Sequence, residues 1–183
     1  QAAGARSLGF EEQSLTCTTH RELCESLDGL APVATKGVVE KLRQVKDESE
    51  IERIRAAVAA ADAAFADLRD ELRPGLRERE VASRLEFAMQ QHGARKPSFD
   101  SIVAAGARAS LPHAEATDTL IGAGSPVLID WGAIRDLYCS DATRVVFLAP
   151  PDDEWRKIYG IVLRAQERGI AAVHPGASVL DVD

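Results

Sequence analysis

The stretch "VLIDWGAIRDLYCSDATRVVF", residues 127–147, decides the fold. It opens on Val127, Leu128 and Ile129 and closes on Val145, Val146 and Phe147, with Arg135-Asp136 between. Two β-prone runs around a polar dipeptide read as a hairpin. Each run carries one carboxylate, Asp130 or Asp141, in an otherwise apolar setting. A turn about Arg135-Asp136 opposes Ile134 with Leu137, Gly132 with Cys139 and Asp130 with Asp141. Directly opposed Cβ atoms lie about 4.5–5.5 Å apart, where like charges are destabilising, more so if buried. Three arrangements relieve that cost: a solvated face with Arg144 as counter-charge, a proton held by one Asp, or a cation between the two. Carboxylate oxygens at that spacing suit a divalent metal, or two metals bridged by one carboxylate. The apolar neighbours predict a strand buried on both faces. That raises the cost of an unpaired Asp and favours the metal. Leu137 stands where a bulged hairpin prefers Gly, so a different loop would shift the pairing. Cys139 falls on the same side as Asp141 by alternation and is expected to be a small buried residue rather than a ligand.

Upstream of the hairpin lie two helices. Ile51, Ile54, Val58, Ala61, Phe65, Leu68 and Leu72 are spaced three and four apart, one apolar face of a long helix. Asp47 with Glu50 forms a capping-box start, and Pro74-Gly75 ends the helix. A second helix spans about 77–92, with Val81, Leu85, Ala88 and Met89 inward and Gly93 as its stop. "SFDSIVAAG", closed by Gly106, reads as a further strand. Downstream, a helix starting near Asp152 or Asp153 carries Trp155, Ile158, Val162 and Ala165, and "HPG" at 174–176 ends it. Residues 1–38 read as short mixed elements: a short helix within "SLTCTTHRELCESLDG", then an extended run. A boundary is expected near Val39, where the composition turns to charged helix.

The chain has 183 residues, a formal net charge of −7 and 45% hydrophobic residues. That supports a packed core and argues against disorder. The length suits one domain with a short extra piece. No basic stripe is present to neutralise phosphates, which argues against nucleic acid as a partner. No apolar run approaches the roughly 20 residues of a membrane span, and "QAAGARSLGFEE" lacks a signal pattern. Cys17, Cys24 and Cys139 are odd in number and lack metal-type spacing, so a cytoplasmic location is expected.

"PSFDSIVAAGARASLPHAEATD" followed by "VLIDWGAIRDLYCSDATR" resembles the pita-bread-fold metallopeptidases: Xaa-Pro aminopeptidase, Xaa-Pro dipeptidase (prolidase) and methionine aminopeptidase, with creatinase sharing the fold. "VVEKLRQVKDESEIERIRAAVAAADAAF" and "DDEWRKIYGIVLRAQERGIAAVHPG" are similar too, in the right order. The resemblance covers about residue 39 to the end and is strongest to the Xaa-Pro branch. It implies an α+β pita-bread fold, a curved antiparallel sheet flanked by helices, of which residues 39–183 form the first half of a catalytic domain. "LGFEEQSLTCTTHREL" resembles the tail of that branch's N-terminal domain, so residues 1–38 are expected to be a remnant of it. The implied activity is hydrolysis of the Xaa-Pro bond of a peptide by water activated on two divalent metals, Mn foremost, with Co or Zn as alternatives. Asp130 matches the ligand that chelates one metal and Asp141 the ligand that bridges both, eleven positions apart as in the family. His113, in "LPH", matches a histidine that lines the substrate pocket and can hydrogen-bond the reacting amide. The family's remaining ligands, one His and two Glu, match nothing before Asp183. His174 is expected at a helix end or surface. The chain by itself is therefore expected to be inactive, and its uncovered apolar strand faces to drive homodimerisation unless the chain continues. A non-catalytic peptide- or protein-binding module and a creatinase-type amidinohydrolase are the alternatives.

Overall fold

The computed structural model describes residues 4–27 and 29–183. The chain divides into two compact units, Gln1–Ile51 and Glu52–Asp183. Asp28, which the helix expected within residues 14–29 includes, lies outside the described residues, as do residues 1–3 of the amino-terminal stretch.

In the first unit, strands β1 (Ser7–Glu11) and β2 (Ala31–Thr35) pair in parallel, Ser7 with Ala31 through Glu11 with Thr35. Helix α1 (Cys17–Ser26) connects them. Parallel neighbours need such a crossover because a tight turn cannot reverse the chain between them. Thr16 caps α1 by accepting from the Thr19 amide at 3.2 Å. The Phe10 and His20 rings lie 4.8 Å apart. Helix α2 (Val38–Gln44) follows.

Helix α3 (Glu48–Glu71) begins with the expected reciprocal cap. The Asp47 carboxylate accepts from the Glu50 amide at 2.9 Å, and the Glu50 carboxylate from the Asp47 amide at 2.8 Å. Its buried stripe shares Ala61 and Leu68 with the expected face and takes in Ala57, Ala60 and Ala64 in place of Val58. Ala57, Ala60, Ala61, Ala64 and Leu68 are buried, whereas Val58 is 41% exposed. Small side chains let a packed partner approach closely, and the partner here is large. Trp131, fully buried, stacks on Phe65 at 4.5 Å and donates its indole N–H to the Ala61 carbonyl at 3.0 Å. Helix α4 (Glu78–Gln91) buries Val81, Leu85, Ala88 and Met89 as expected, and ends before Gly93 at φ +89°.

Two three-stranded sheets complete the second unit. In one, β4 (Ile102–Ala105), β5 (Pro126–Trp131) and β8 (Ala142–Phe147) lie side by side, β5 central and antiparallel to both. In the other, β3 (Lys96–Pro97), β6 (Ala133–Arg135) and β7 (Tyr138–Cys139) do the same around β6. Val127, Ile129 and Trp131 on one face of β5 join Val81, Leu85 and Met89 of α4 in a single core. Burial on both faces was expected, and only this face attains it. Leu128 and Asp130 are half-buried, and Thr143, Arg144 and Val145 of the edge strand β8 are exposed.

Helix α5 (Asp153–Ala172) is capped by Asp152, which accepts from the Trp155 amide at 2.9 Å. It ends ahead of His174-Pro175-Gly176, and buries none of its residues. A short helix α6 (Val179–Val182) closes the chain. No helix among the described residues is long and apolar enough to cross a membrane.

Candidate active site

The hairpin forms with a register two residues away from the expected one. Arg135 pairs with Tyr138 and Ile134 with Cys139, so the turn is Asp136-Leu137. Both residues have positive φ, +49° and +70°. That is the two-residue turn whose twist matches paired strands, though Asn and Gly are its usual occupants. Asp130 therefore faces Thr143, not Asp141. The direct opposition of two carboxylates does not occur. Asp141 lies outside the paired residues, between β7 and β8, and the two carboxylates line one cavity. Asp130 is half-buried and accepts from the Thr143 hydroxyl at 2.9 Å. Asp141 is exposed. Arg144 is not their counter-charge: it pairs with Ile129, and its guanidinium lies over Trp131, 5.9 Å from the ring centroid. Cys139 is exposed, contrary to its expected burial, because β7 is an edge strand.

Between the two pairing regions the hairpin breaks at Gly132 and Ser140-Asp141. A Cβ on Gly132 would sit well inside van der Waals contact of the Ser140 carbonyl oxygen and the Ser98 hydroxyl. Those atoms hold the break together. The Ser98 hydroxyl donates to the Ser140 carbonyl at 2.9 Å, the Ser98 amide to the Gly132 carbonyl at 2.9 Å, and the Ala133 amide to the Ser140 hydroxyl at 2.9 Å. Asp141 follows this clasp directly, between the end of β7 and the start of β8.

His113 reaches the same place from another element. After β4 the chain makes a 3-10 turn, Gly106–Ser110, and continues through a loop to Ile121. His113 sits on that loop at φ +60°, a left-handed conformation rare for a residue with a side chain. One cavity of about 740 Å³ is lined by His113, Asp130 and Asp141 together. Glu86, Asp100 and Glu115 add three further carboxylates to its wall, against one arginine, Arg79, which is paired with Asp118 at 2.8 Å. The cavity is therefore acidic, which suits a cation.

The loop is tied down by Glu78, a fully buried carboxylate in the first turn of α4. It accepts from the Ala105 amide at 2.8 Å, the Thr117 amide at 3.0 Å, the Thr117 hydroxyl at 2.6 Å and the Arg108 guanidinium at 3.2 Å. Burial pushes the Glu78 carboxyl up, but the Thr117 hydroxyl, the two amides and Arg108 outweigh it and hold the group below the ordinary glutamate value. The α4 amides of Glu78 and Arg79 in turn donate to the carbonyls of Thr119 and Thr117, which replaces a side-chain cap. The sequence reading passed over both Glu78 and Gly132. A first-turn glutamate looks like an ordinary response to the helix dipole. A lone glycine inside a strand pattern does signal a bulge or close approach.

Carboxylates and an imidazole on one wall are donor types that a divalent metal accepts. Among the described residues, however, no three or more His, Cys, Asp or Glu side chains cluster so as to hold an ion. The kind of donor fits; the number does not complete a coordination shell.

Solved structures share this architecture. The Xaa-Pro dipeptidase from Bacillus anthracis superposes with a TM-score of 0.85 at 44% identity, over 90% of this chain and 46% of that one. The X-Pro aminopeptidase from Thermotoga maritima gives 0.88 at 36% identity, over 91% and 47%. The fold is the α+β pita-bread fold, present here in part. Metallopeptidase family M24 matches residues 52–183, the second compact unit, and the chain belongs to that family. A Xaa-Pro dipeptidase of Pyrococcus furiosus is 43% identical over 146 residues, 80% of this chain and 42% of that protein. The chain spans about half the length of the curated relatives it matches.

Proposed function

We propose that residues 39–183 are the first half of the catalytic domain of a metallopeptidase that hydrolyses the Xaa-Pro peptide bond, and that residues 1–38 belong to an N-terminal domain. The observation that carries this reading is the meeting of His113, Asp130 and Asp141 on one acidic cavity, although they come from three separate segments. Asp130 and Asp141 would hold two divalent metals, Mn foremost, Asp130 chelating one and Asp141 bridging both. Such metals, when bound, supply a water that ionises near neutral pH and a Lewis acid for the scissile carbonyl. The Thr143 hydroxyl orients Asp130 by its hydrogen bond. The clasp at Gly132 fixes Ser140, the residue before Asp141. His113 would donate to the reacting amide where negative charge develops. The acidic wall would attract the free ammonium end of a peptide with proline second.

Two carboxylates supply few of the 6 or so oxygens a hard cation takes, so the 183 residues alone are expected to be inactive. The exposed apolar residues of α5, among them Ile161 and Val162, support association of two copies. The free thiols of Cys17, Cys24 and Cys139 support a cytoplasmic location.

The test is a Mn2+ titration of the 183-residue chain and of an Asp130→Asn, Asp141→Asn double variant, with an Xaa-Pro dipeptide assay on each. The expected result is weak Mn2+ binding that the double substitution abolishes, with no hydrolysis by either. Unchanged Mn2+ binding in the double variant would overturn the metal role. Hydrolysis by the 183-residue chain would overturn the expected inactivity.

A further inference from the structure

We propose that Glu78 is the positioning residue of this cavity: its buried carboxylate gathers both ends of the loop that carries His113 and so sets where the imidazole stands. This assignment rests on the reading of His113 as a residue of the substrate pocket.

The geometry is that of a single anchor with contacts before and after the histidine. Ala105 closes β4, at the loop's start, and its amide donates to one oxygen of Glu78. Thr117 lies four residues beyond His113, and both its amide and its hydroxyl donate to the other oxygen. Arg108 adds a second tier. Its Nε donates to Glu78 while its Nη2 donates to the Glu115 carbonyl at 2.7 Å, two residues past His113. The segment from 105 to 117 is thereby closed on one carboxylate. Among the described residues, no hydrogen bond or ion pair holds the His113 ring itself, so the backbone alone decides its place. That backbone is at φ +60°. A left-handed residue persists when its surroundings over-determine it, and the anchor provides that determination.

The chemistry of the anchor argues for a precise role rather than for cohesion alone. An ionised carboxylate fully out of water is costly unless charged or polar partners compensate. An apolar residue at position 78 would fill the same space without that cost. What it could not do is accept hydrogen bonds from amides at both ends of the loop while holding Arg108. Charge-assisted bonds of this kind are roughly twice as strong as neutral ones.

The experiment uses the 183-residue chain with Glu78→Gln, which preserves shape but removes the charge and turns a donor towards donors. Thr117→Val serves as a milder second variant that keeps the carboxylate. Amide hydrogen exchange is followed at Ala105 and Thr117 and, as internal reference, at Val81, Leu85 and Met89 of α4. The His113 ring signals are followed by NMR in the same samples. Loss of the charge-assisted bonds should speed exchange at Ala105 and Thr117 by about 10- to 100-fold while the α4 reference stays within about twofold. The His113 ring signals should shift or broaden in both variants. Unchanged exchange at Ala105 and Thr117 in both variants overturns the assignment. So does a uniform rise across α4, which would make Glu78 a stabiliser of the whole unit. Loosened ends with unmoved His113 signals overturn it as well. Failure of Mn2+ to broaden the His113 signals of the unsubstituted chain would count against the peptidase reading alone.

Discussion

Gly132→Ala tests how the hairpin break is built. The substitution would ordinarily add about 0.4–1 kcal/mol of stability by restricting the unfolded chain. Gly132 does not have a positive φ, so backbone angle does not oppose the change; only space does. The new methyl group would overlap the Ser140 carbonyl oxygen and the Ser98 hydroxyl. The serine hydroxyl can rotate away. The carbonyl belongs to the neighbouring strand and moves only if the strands part. Overpacking of this kind costs about 1–3 kcal/mol. Separation also strains three hydrogen bonds: Ser98 N–H to Gly132 O, Ala133 N–H to the Ser140 hydroxyl, and Ser140 N–H to Ala133 O. Each is worth about 1 kcal/mol. The net loss comes to about 3–5 kcal/mol, or a fall in Tm of roughly 6–20 °C for a chain of this size. Urea denaturation with calorimetry reads both quantities. Gly124→Ala is the control, because a Cβ there meets nothing within 4 Å, and it should be neutral or slightly stabilising. A loss below about 1 kcal/mol at Gly132, or equal effects at both sites, would refute the close-packed break.

Three further outcomes follow from the same geometry. Leu137→Gly should stabilise by about 0.5–1 kcal/mol in urea denaturation, since a left-handed L-residue costs about 1–2 kcal/mol and Gly gives back part of it as entropy; Leu137 is 78% exposed and gives up little packing. Glu78 is held below its ordinary value, so the folded state binds its proton less readily than the unfolded one. Its contribution is complete above the ordinary glutamate value of about 4.3 and is lost as pH falls below it, through the folded value; acid denaturation curves of the unsubstituted chain should fall more steeply there than those of Glu78→Gln. Ile161→Glu with Val162→Glu, at positions 51% and 61% exposed, should change folding stability by less than about 0.5 kcal/mol. In sedimentation the unsubstituted chain should self-associate and the doubly substituted chain should not, and two monomers would refute the dimer.

The helices were legible in the sequence because their signals are local. Asp47 and Glu50 announced a reciprocal cap, and it forms. Val81, Leu85, Ala88 and Met89 repeat at helical spacing and are buried. The stripe of α3 was right at Ala61 and Leu68 and wrong at Val58, where size was read as depth. The bulkier Val58 drew attention, while the alanines at 57, 60, 61 and 64 sit nearest the core, where Trp131 occupies the room they leave. The hairpin was visible and its register was not. Position 137 holds leucine where glycine would have marked the turn, so nothing local favoured Asp136-Leu137. The candidate residues His113, Asp130 and Asp141 were picked out through motifs, and their meeting on one cavity is a tertiary fact. The role of Glu78 depends on Ala105, Arg108 and Thr117, which are 27 to 39 residues away in the chain, beyond the reach of any periodicity.

Trp131 gives this architecture an optical voice. It adjoins Asp130 in the chain, is shielded from water, and donates its N–H to a helix carbonyl. The other tryptophan, Trp155, is 37% exposed. A shielded indole emits to the blue of a wet one, so the two colours separate without a label. Changes in the packing of β5 on α3 can be followed in the blue band while α5 reports in the red, in a single cuvette.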